Sequence, residues 1–175
     1  EGDAQYRGGG GGFADAEGKL VAQGLTLPGH LGSVPTAMAS IMRHYRDDIR
    51  EGDVFIMNDP FDGGMHLQDI FIVKPVFAEG FVIGYAVTTA HHGDVGGRLP
   101  GSSACDNTEI FQEGLRMPWL RLYAEGEEDS EIEEHPLLDL WRKPNALMSG
   151  TDGALSKRAQ SGTDCALVQS GTLFP

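Results

Sequence analysis

Residues 70–89 read IFIVKPVFAEGFVIGYAVTT, two strand-like runs of apolar and β-branched residues. The short segment Ala78-Glu79-Gly80 separates them, and a glycine between two such runs favours a tight turn. This pattern predicts the clearest β-hairpin in the chain. Because the strands of a hairpin run in opposite directions, the residues before the first strand and after the second meet at one edge.

Chemically reactive residues stand at both ends of this predicted hairpin. His66 and Asp69 precede the first strand, and His91 and His92 follow the second. Adjacent side chains on a regular strand point to opposite faces, so we expect only one of the two later histidines to join His66 and Asp69. Two imidazoles and one carboxylate form a known type of first-row metal site with open positions. The alternative is that these histidines are hydrogen-bonded structural residues.

Other residues near the hairpin ends are candidates for function. The histidine not facing the metal is a candidate general acid–base, a substrate contact or a structural residue. Asp94 is a candidate for orienting an imidazole, or it caps a turn. Gly96 and Gly97 let the backbone approach a ligand, or they form turns. His30, in the loop before the predicted helix, is a candidate substrate contact.

The rest of the pattern predicts an α+β fold that is rich in β-hairpins and glycine. One main amphipathic helix is predicted, with Ser33 as its N-cap, Pro35 in its first turn and its end near residue 50. Further strands are predicted at Val54–Met57 and 118–123, and a hairpin at 13–22.

The same pattern divides the chain into four segments. Residues 1–12, which end in five glycines, are expected to be flexible, because glycine loses the most backbone entropy on ordering. Residues 13–123 form the predicted metal-site domain. The acidic stretch 124–135 is expected to be a solvated linker. Residues 136–175 show little periodicity and are not assigned.

The composition argues against several partners. Acidic residues outnumber basic ones by 26 to 13, the net charge is −13, and no Lys/Arg cluster is present. Nucleic acids and anionic membranes attract positive surface, so neither is an expected partner. No apolar run approaches the roughly 18 residues of a membrane span. No secretory signal pattern is visible, so a cytoplasmic location is expected.

Several longer motifs resemble the hydantoinase B/oxoprolinase family. They are GDVFIMNDPFDGGMHLQD at residues 52–69, AHHGDVGG at 90–97, PGS at 100–102 and TEIFQEGLR at 108–116. DAEGKLVAQ at 15–23 and HLGS at 30–33 match the family's upstream pattern. The resemblance covers residues 13–123, with the motifs in the family's order.

The resemblance implies a metal site and an ATP-binding partner. The family's His-x-x-Asp…His metal set falls here on His66, Asp69 and His91, and manganese, zinc or iron would accept these ligands. The family works with a hydantoinase A-like subunit that binds ATP and phosphorylates the substrate or a carboxyl donor. Its members are considerably longer than 175 residues, so we expect this chain to be part of a larger subunit in a hetero-oligomer.

We therefore predict a metal-dependent subunit of an ATP-dependent cyclic-amide hydrolase whose substrate is a hydantoin, a lactam or 5-oxoproline. His92 and Asp94 are the candidate catalytic residues, and His30, Gly96 and Gly97 are the candidate substrate-binding residues. One alternative is the catalytic subunit of an ATP-dependent ketone carboxylase of the acetone or acetophenone type. The other alternative is a non-catalytic assembly domain.

Overall fold

The computed structural model describes residues 9–25, 28–101 and 104–128, which contain one long helix and an antiparallel sheet. The order of the seven strands in this sheet is β2-β1-β5-β4-β3-β6-β7, and all neighbours are antiparallel. The predicted α+β class is confirmed. In chain order the elements are β1 (Gly9–Asp15), β2 (Leu20–Gln23), α1 (Pro28–Tyr45), β3 (Val54–Met57), β4 (Asp69–Ala78), β5 (Phe81–His91), β6 (Leu120–Ala124) and β7 (Glu127–Glu128), with one-turn 3₁₀ helices at Pro60–Asp62 and Ile110–Gln112.

The chain divides into two compact units, and the predicted domain 13–123 contributes residues to both. The first unit comprises Glu1–His92 and Arg116–Asp129 and carries the helix and the sheet. The described part of the second unit is 93–101 and 104–115. In its described part, Gly96 forms a bridge with Gly114. The unassigned segment 136–175 lies outside the described residues.

The β4–β5 hairpin forms the centre of the sheet. Glu79 and Gly80 both have positive φ, 52° and 82°, the backbone conformation of the tightest hairpin turns. Pairing runs from Ala78↔Phe81 to Asp69↔His91, with a register shift where Val76 pairs Gly84 and Phe77 pairs Val82. Ile83 is therefore an extra residue in β5, a β-bulge. Asp69 and His91 face each other at the far end.

The core lies between α1 and one face of the sheet. Helix positions Val34, Ala37, Met38 and Ile41 recur at the three- and four-residue spacing of a buried helical stripe, and all four are fully buried. Burying each large apolar side chain contributes about 1.5–3 kcal/mol. The stripe belongs to one cluster with sheet residues that include Phe55, Met57, Phe71, Val73, Tyr85 and Val87.

Helix α1 begins earlier than the sequence predicts. It starts at Pro28, so Ser33 is not its N-cap: the Ser33 hydroxyl lies inside the helix and donates to the His30 carbonyl at 2.7 Å. Pro28 suits the first helical turn, where its missing N–H would have no intrahelical partner. His30 therefore lies in the first helical turn and not in a preceding loop. Among the described residues, no helix is long and apolar enough to span a membrane.

Glycines 9–12 form most of strand β1, so the expectation of a flexible segment is wrong for these residues. β1 pairs with β5 on one side and with β2 on the other. The two ladders offset the entropic cost of ordering glycine. At Gly12 the strands also approach closely, since a Cβ there would lie 2.9 Å from Leu20 Cδ1.

The first part of the predicted acidic linker is also ordered. β6 and β7 pair through Tyr123↔Glu128 and Ala124↔Glu127, and both turn residues have positive φ, 53° at Glu125 and 91° at Gly126. The expectation of a linker from residue 124 is therefore wrong as far as residue 128, because this tight turn permits strand pairing. Residues 129–135 lie outside the described part of the chain.

Candidate metal centre

The two ends of the β4–β5 hairpin bring His66, Asp69 and His91 together. Asp69 is the first residue of β4 and pairs with His91, the last residue of β5. His66 comes from the turn that enters β4, where the Asp69 N–H donates to the His66 carbonyl at 2.9 Å. The backbone N–H of His66 donates in turn to Asp69 Oδ2 at 3.1 Å, so two hydrogen bonds between these residues stabilise the turn. The hairpin register therefore produces the cluster.

The Asp69 carboxylate lies at the centre of this cluster and is fully buried. Its Oδ2 is 2.7 Å from His66 Nδ1, and its Oδ1 is 2.6 Å from His91 Nδ1. A third imidazole, His30, places Nε2 3.1 Å from Oδ1. A buried carboxylate is costly unless charged or polar partners surround it, and the three rings provide those partners.

His30 reaches the cluster from the first turn of α1. Its ring stacks on that of His91, with 5.8 Å between centroids and 20° between planes. Among the described residues, its other nitrogen, Nδ1, is buried without a hydrogen-bond partner. The sequence predicts His30 near the site only as a loop residue. Its position follows from the docking of the helix, which no local pattern reveals.

The donor atoms of the cluster suit a divalent transition metal. His30, His66, Asp69 and His91 offer three imidazole nitrogens and one carboxylate oxygen, all within 4.8 Å of one another. Two ligand atoms that each lie about 2.1 Å from one ion at a right angle are about 3 Å apart. The three nitrogen–oxygen separations of 2.6, 2.7 and 3.1 Å are close to this value. The group therefore fits a metal ion.

Within the described part of the chain, the cluster is exposed to solvent at His66 and His91. The His66 side chain is 55% exposed and that of His91 36%, whereas His30 is 6% exposed. A small molecule can approach from the side of His66 and His91. An ion held there would keep positions open toward solvent, as catalytic metal sites do.

His92 is not a member of this four-residue group, so His91 is the later histidine that contacts Asp69. The His92 N–H donates to the Gln68 carbonyl at 2.8 Å. Burial lowers the pKa of His92 below its ordinary value of 6.5, and His91 lowers that pKa further, while the Asp69 carboxylate raises it. The lowered pKa favours a neutral imidazole at neutral pH.

The predicted site residues Asp94, Gly96 and Gly97 belong to the second unit. The Asp94 carboxylate accepts the backbone N–H groups of Gly96 at 2.8 Å and Gly101 at 3.1 Å. A Cβ at Gly97 would lie 2.5 Å from the Glu113 carbonyl oxygen. These residues therefore stabilise the conformation of their own loop.

Asn58, which no sequence pattern singled out, supports the turn that carries His66. It is fully buried at the end of β3 and donates through Nδ2 to the Leu67 carbonyl at 2.7 Å. Its Oδ1 accepts the Met117 N–H at 2.6 Å. An amide directly after a buried apolar strand is the signal that would have indicated such a role.

Asp62 links the loop between β3 and β4 to helix α1. Its carboxylate accepts hydrogen bonds from Ser40 Oγ at 2.5 Å and Arg43 at 3.0 Å, and it lies 2.8 Å from His44 Nε2. Burial raises the pKa of Asp62, but the hydrogen bonds from Ser40, His44 and Arg43 outweigh it and hold the pKa below the ordinary 3.8. The helix that carries His30 and the loop that leads to His66 are thus joined.

Comparison with known proteins identifies a family match. The family model described as Hydantoinase B/oxoprolinase matches residues 10–156. The chain is 38% identical over 114 residues to caprolactamase subunit beta of Pseudomonas jessenii, covering 65% of this chain and 20% of that one. It is 41% identical over 101 residues to 5-oxoprolinase of Saccharomyces cerevisiae, covering 57% of this chain and 8% of that one. The chain therefore spans a fifth or less of these relatives.

Solved structures show the same fold. The ATP-dependent caprolactamase from Pseudomonas jessenii superposes with a TM-score of 0.66 at 30% identity, covering 93% of this chain and 29% of that one. Nucleotide-free acetone carboxylase superposes with a TM-score of 0.64 at 23% identity, covering 72% of this chain and 17% of that one, and shows a shared fold only. From the match over residues 10–156 and these relatives, the chain belongs to the hydantoinase B/oxoprolinase family.

Proposed function

We propose that this chain supplies the metal site of an ATP-dependent cyclic-amide hydrolase that acts on a hydantoin, a lactam or 5-oxoproline. The observation that carries the proposal is the buried Asp69 carboxylate with imidazoles against both oxygens, in a chain of the hydantoinase B family. Relatives named caprolactamase and 5-oxoprolinase support the substrate class.

The proposed enzyme is a hetero-oligomer that acts in the cytoplasm. One relative is named caprolactamase subunit beta, and one solved structure is named ATP-dependent caprolactamase. These names support an enzyme in which ATP binding and hydrolysis of the amide belong to different subunits. In this proposal a hydantoinase A-like partner binds ATP and phosphorylates the substrate, and the site in this chain completes the hydrolysis.

His66, Asp69 and His91 are the proposed metal ligands, and manganese, zinc and iron are the candidate ions. Such an ion supplies Lewis acidity toward a carbonyl or phosphoryl oxygen and lowers the pKa of water. Asp69 keeps both imidazoles turned toward one point through its two oxygens. The exposed edges of His66 and His91 leave room for the substrate ring.

The proposed acid–base groups are His92 and Asp94. A neutral His92 has a free lone pair with which to accept a proton and later return it to the leaving nitrogen. Asp94 is the second candidate for proton transfer. Gly96 and Gly97 are the proposed substrate contacts, and His30, which the sequence predicts with them, contacts Asp69.

Metal analysis of the purified chain tests the proposal first. We expect about one transition-metal ion per chain in the wild type and none in a His66→Ala, Asp69→Ala double variant. His44→Gln is the matched control, because His44 is an exposed helix histidine and glutamine can still donate a hydrogen bond to Asp62. A folded wild-type chain that retains no metal would contradict the proposed site.

Assays with the ATP-binding partner then identify the reaction. ATP-dependent ring opening of a hydantoin, a lactam or 5-oxoproline that is lost in the double variant would support the hydrolase. Incorporation of bicarbonate into acetone or acetophenone would instead support the ketone carboxylase, which the shared fold with acetone carboxylase favours as second candidate. Unchanged activity of the whole complex after His66→Ala would indicate a non-catalytic assembly domain.

A further inference from the structure

We propose that His30 is a fourth ligand of the metal and not a substrate contact. The inference rests on the proposed metal site and adds to it a residue from a different element. It changes the predicted coordination from two imidazoles and one carboxylate to three imidazoles and one carboxylate.

The position of the His30 Nε2 atom is the first argument. It lies 3.1 Å from Asp69 Oδ1, the oxygen that His91 Nδ1 approaches to 2.6 Å. All four donor atoms lie within 4.8 Å of one another, so one ion can contact them after small side-chain movements. His30 Nε2 thus stands in the same relation to Asp69 as the two imidazoles already assigned.

The burial of His30 is the second argument. Its side chain is 6% exposed, and one face of its ring is covered by the His91 ring at 5.8 Å. A cyclic amide needs an accessible edge of the residue it contacts, whereas a metal ion needs only the nitrogen that already faces Asp69. The accessible side of the cluster is formed by His66 and His91.

The close contact between α1 and the loop that leads to His66 is the third argument. The Thr36 hydroxyl donates to the Gly63 carbonyl at 3.0 Å, in the loop that leads to His66. A Cβ at Gly63 would lie 2.7 Å from the Thr36 carbonyl oxygen, so the helix and this loop are in close contact. His30 and His66 are therefore held on two joined elements, as a pre-organised metal site requires.

Zinc bound to the full chain provides the test. X-ray absorption spectroscopy of the zinc-loaded wild type counts the imidazoles around the ion, and we expect three. In competition titrations with a chelator we expect His30→Ala to weaken zinc binding by about 100-fold or more, since loss of even an outer partner costs about 10–100-fold. His44→Gln, on the same helix and still able to donate to Asp62, should bind zinc like the wild type.

A second variant separates a ligand from a residue that only orients Asp69. The amide of His30→Gln can still donate a hydrogen bond to Asp69 Oδ1, but it is a poor replacement for an imidazole ligand. We expect it to bind zinc as weakly as His30→Ala. Affinity restored to within about tenfold of wild type would overturn the inference in favour of an orienting role.

The outcomes distinguish this inference from the proposed function. Two imidazoles around zinc in the wild type, or unchanged affinity in His30→Ala, would overturn the inference and leave the site of His66, Asp69 and His91 standing. A folded wild type that binds no zinc, manganese or iron would overturn both. If His30→Ala does not fold, the imidazole count in the wild type decides alone.

Discussion

The Asp69 carboxylate has neighbours from three parts of the chain: the turn before β4, the end of β5 and the start of α1. Each neighbour is an imidazole, which donates to the carboxylate through an N–H or offers a lone pair to an ion. The same side chains therefore form a hydrogen-bonded cluster without metal and a ligand set with it. A buried acid that is fully surrounded in this way needs little rearrangement when an ion arrives.

Asp62 gives a pH-dependent prediction. Because its pKa is lower in the folded chain than the ordinary 3.8, the charged form stabilises the fold at pH values above 3.8, and this contribution is lost as the pH falls through the folded-state pKa. We expect Asp62→Asn to lower the free energy of unfolding by about 1–2 kcal/mol at neutral pH, through its weakened bonds to Arg43 and His44.

Urea unfolding at a series of pH values measures this difference. The gap between wild type and Asp62→Asn should shrink as the pH falls below 3.8. Asp47→Asn, at an exposed aspartate just after α1, is the control and should change stability little at any pH. A gap for Asp62→Asn that is independent of pH would show that the charge of Asp62 is not what stabilises the loop.

At the scale of the elements, the glycines of paired strands β1 and β5 are not equivalent. A Cβ at Gly84 would lie 2.5 Å from both the Ala14 carbonyl oxygen and Phe13 Cζ, because the Phe13 ring covers Gly84. A Cβ at Gly11 would meet nothing nearer than the Val87 carbonyl oxygen at 3.9 Å. We expect Gly84→Ala to destabilise by about 1–3 kcal/mol and Gly11→Ala to be neutral or stabilising by up to about 1 kcal/mol.

Chemical denaturation of the two variants compares them directly. Both exchange the same atoms within one pair of strands, so Gly11→Ala is the matched control for Gly84→Ala. Equal destabilisation by both would mean that backbone flexibility, and not the Phe13–Gly84 contact, determines the effect.

The elements also show what the sequence predicts and what it does not. The two apolar runs and the turn signal of residues 70–89 predict β4 and β5, and their register brings His66, Asp69 and His91 together. Residues 9–12 of strand β1 are missed because four glycines carry no side-chain pattern. The start of α1 is missed because Ser33 and Pro35 imitate the signals of a helix N-terminus. The contact of His30 with Asp69 depends on helix docking, which is a property of tertiary packing.

At the scale of the whole sheet, protection against amide hydrogen exchange should follow strand order. β5 lies between β1 and β4, and β4 lies between β5 and β3, whereas β2 and β7 are at the edges. We expect the amides of β4 and β5 to exchange only in the largest opening reactions and those of β2 and β7 to exchange much faster. Exchange in β2 as slow as in β5 would show that another strand or chain covers that edge in solution.

The bulge at Ile83 has a consequence for how this hairpin tolerates changes in length during evolution. Without it, the regular pairing near the turn, Phe77 with Val82, would continue to the far end and place Ala90 opposite Asp69. Loss of Ile83 would remove the bulge and still leave His91 opposite Asp69. A gene encoding this hairpin can therefore lose one codon at that position without separating the two residues, whereas an insertion between Gly84 and His91 would separate them unless a second bulge formed. Ile83 lies near the turn, at the opposite end of the hairpin from Asp69 and His91.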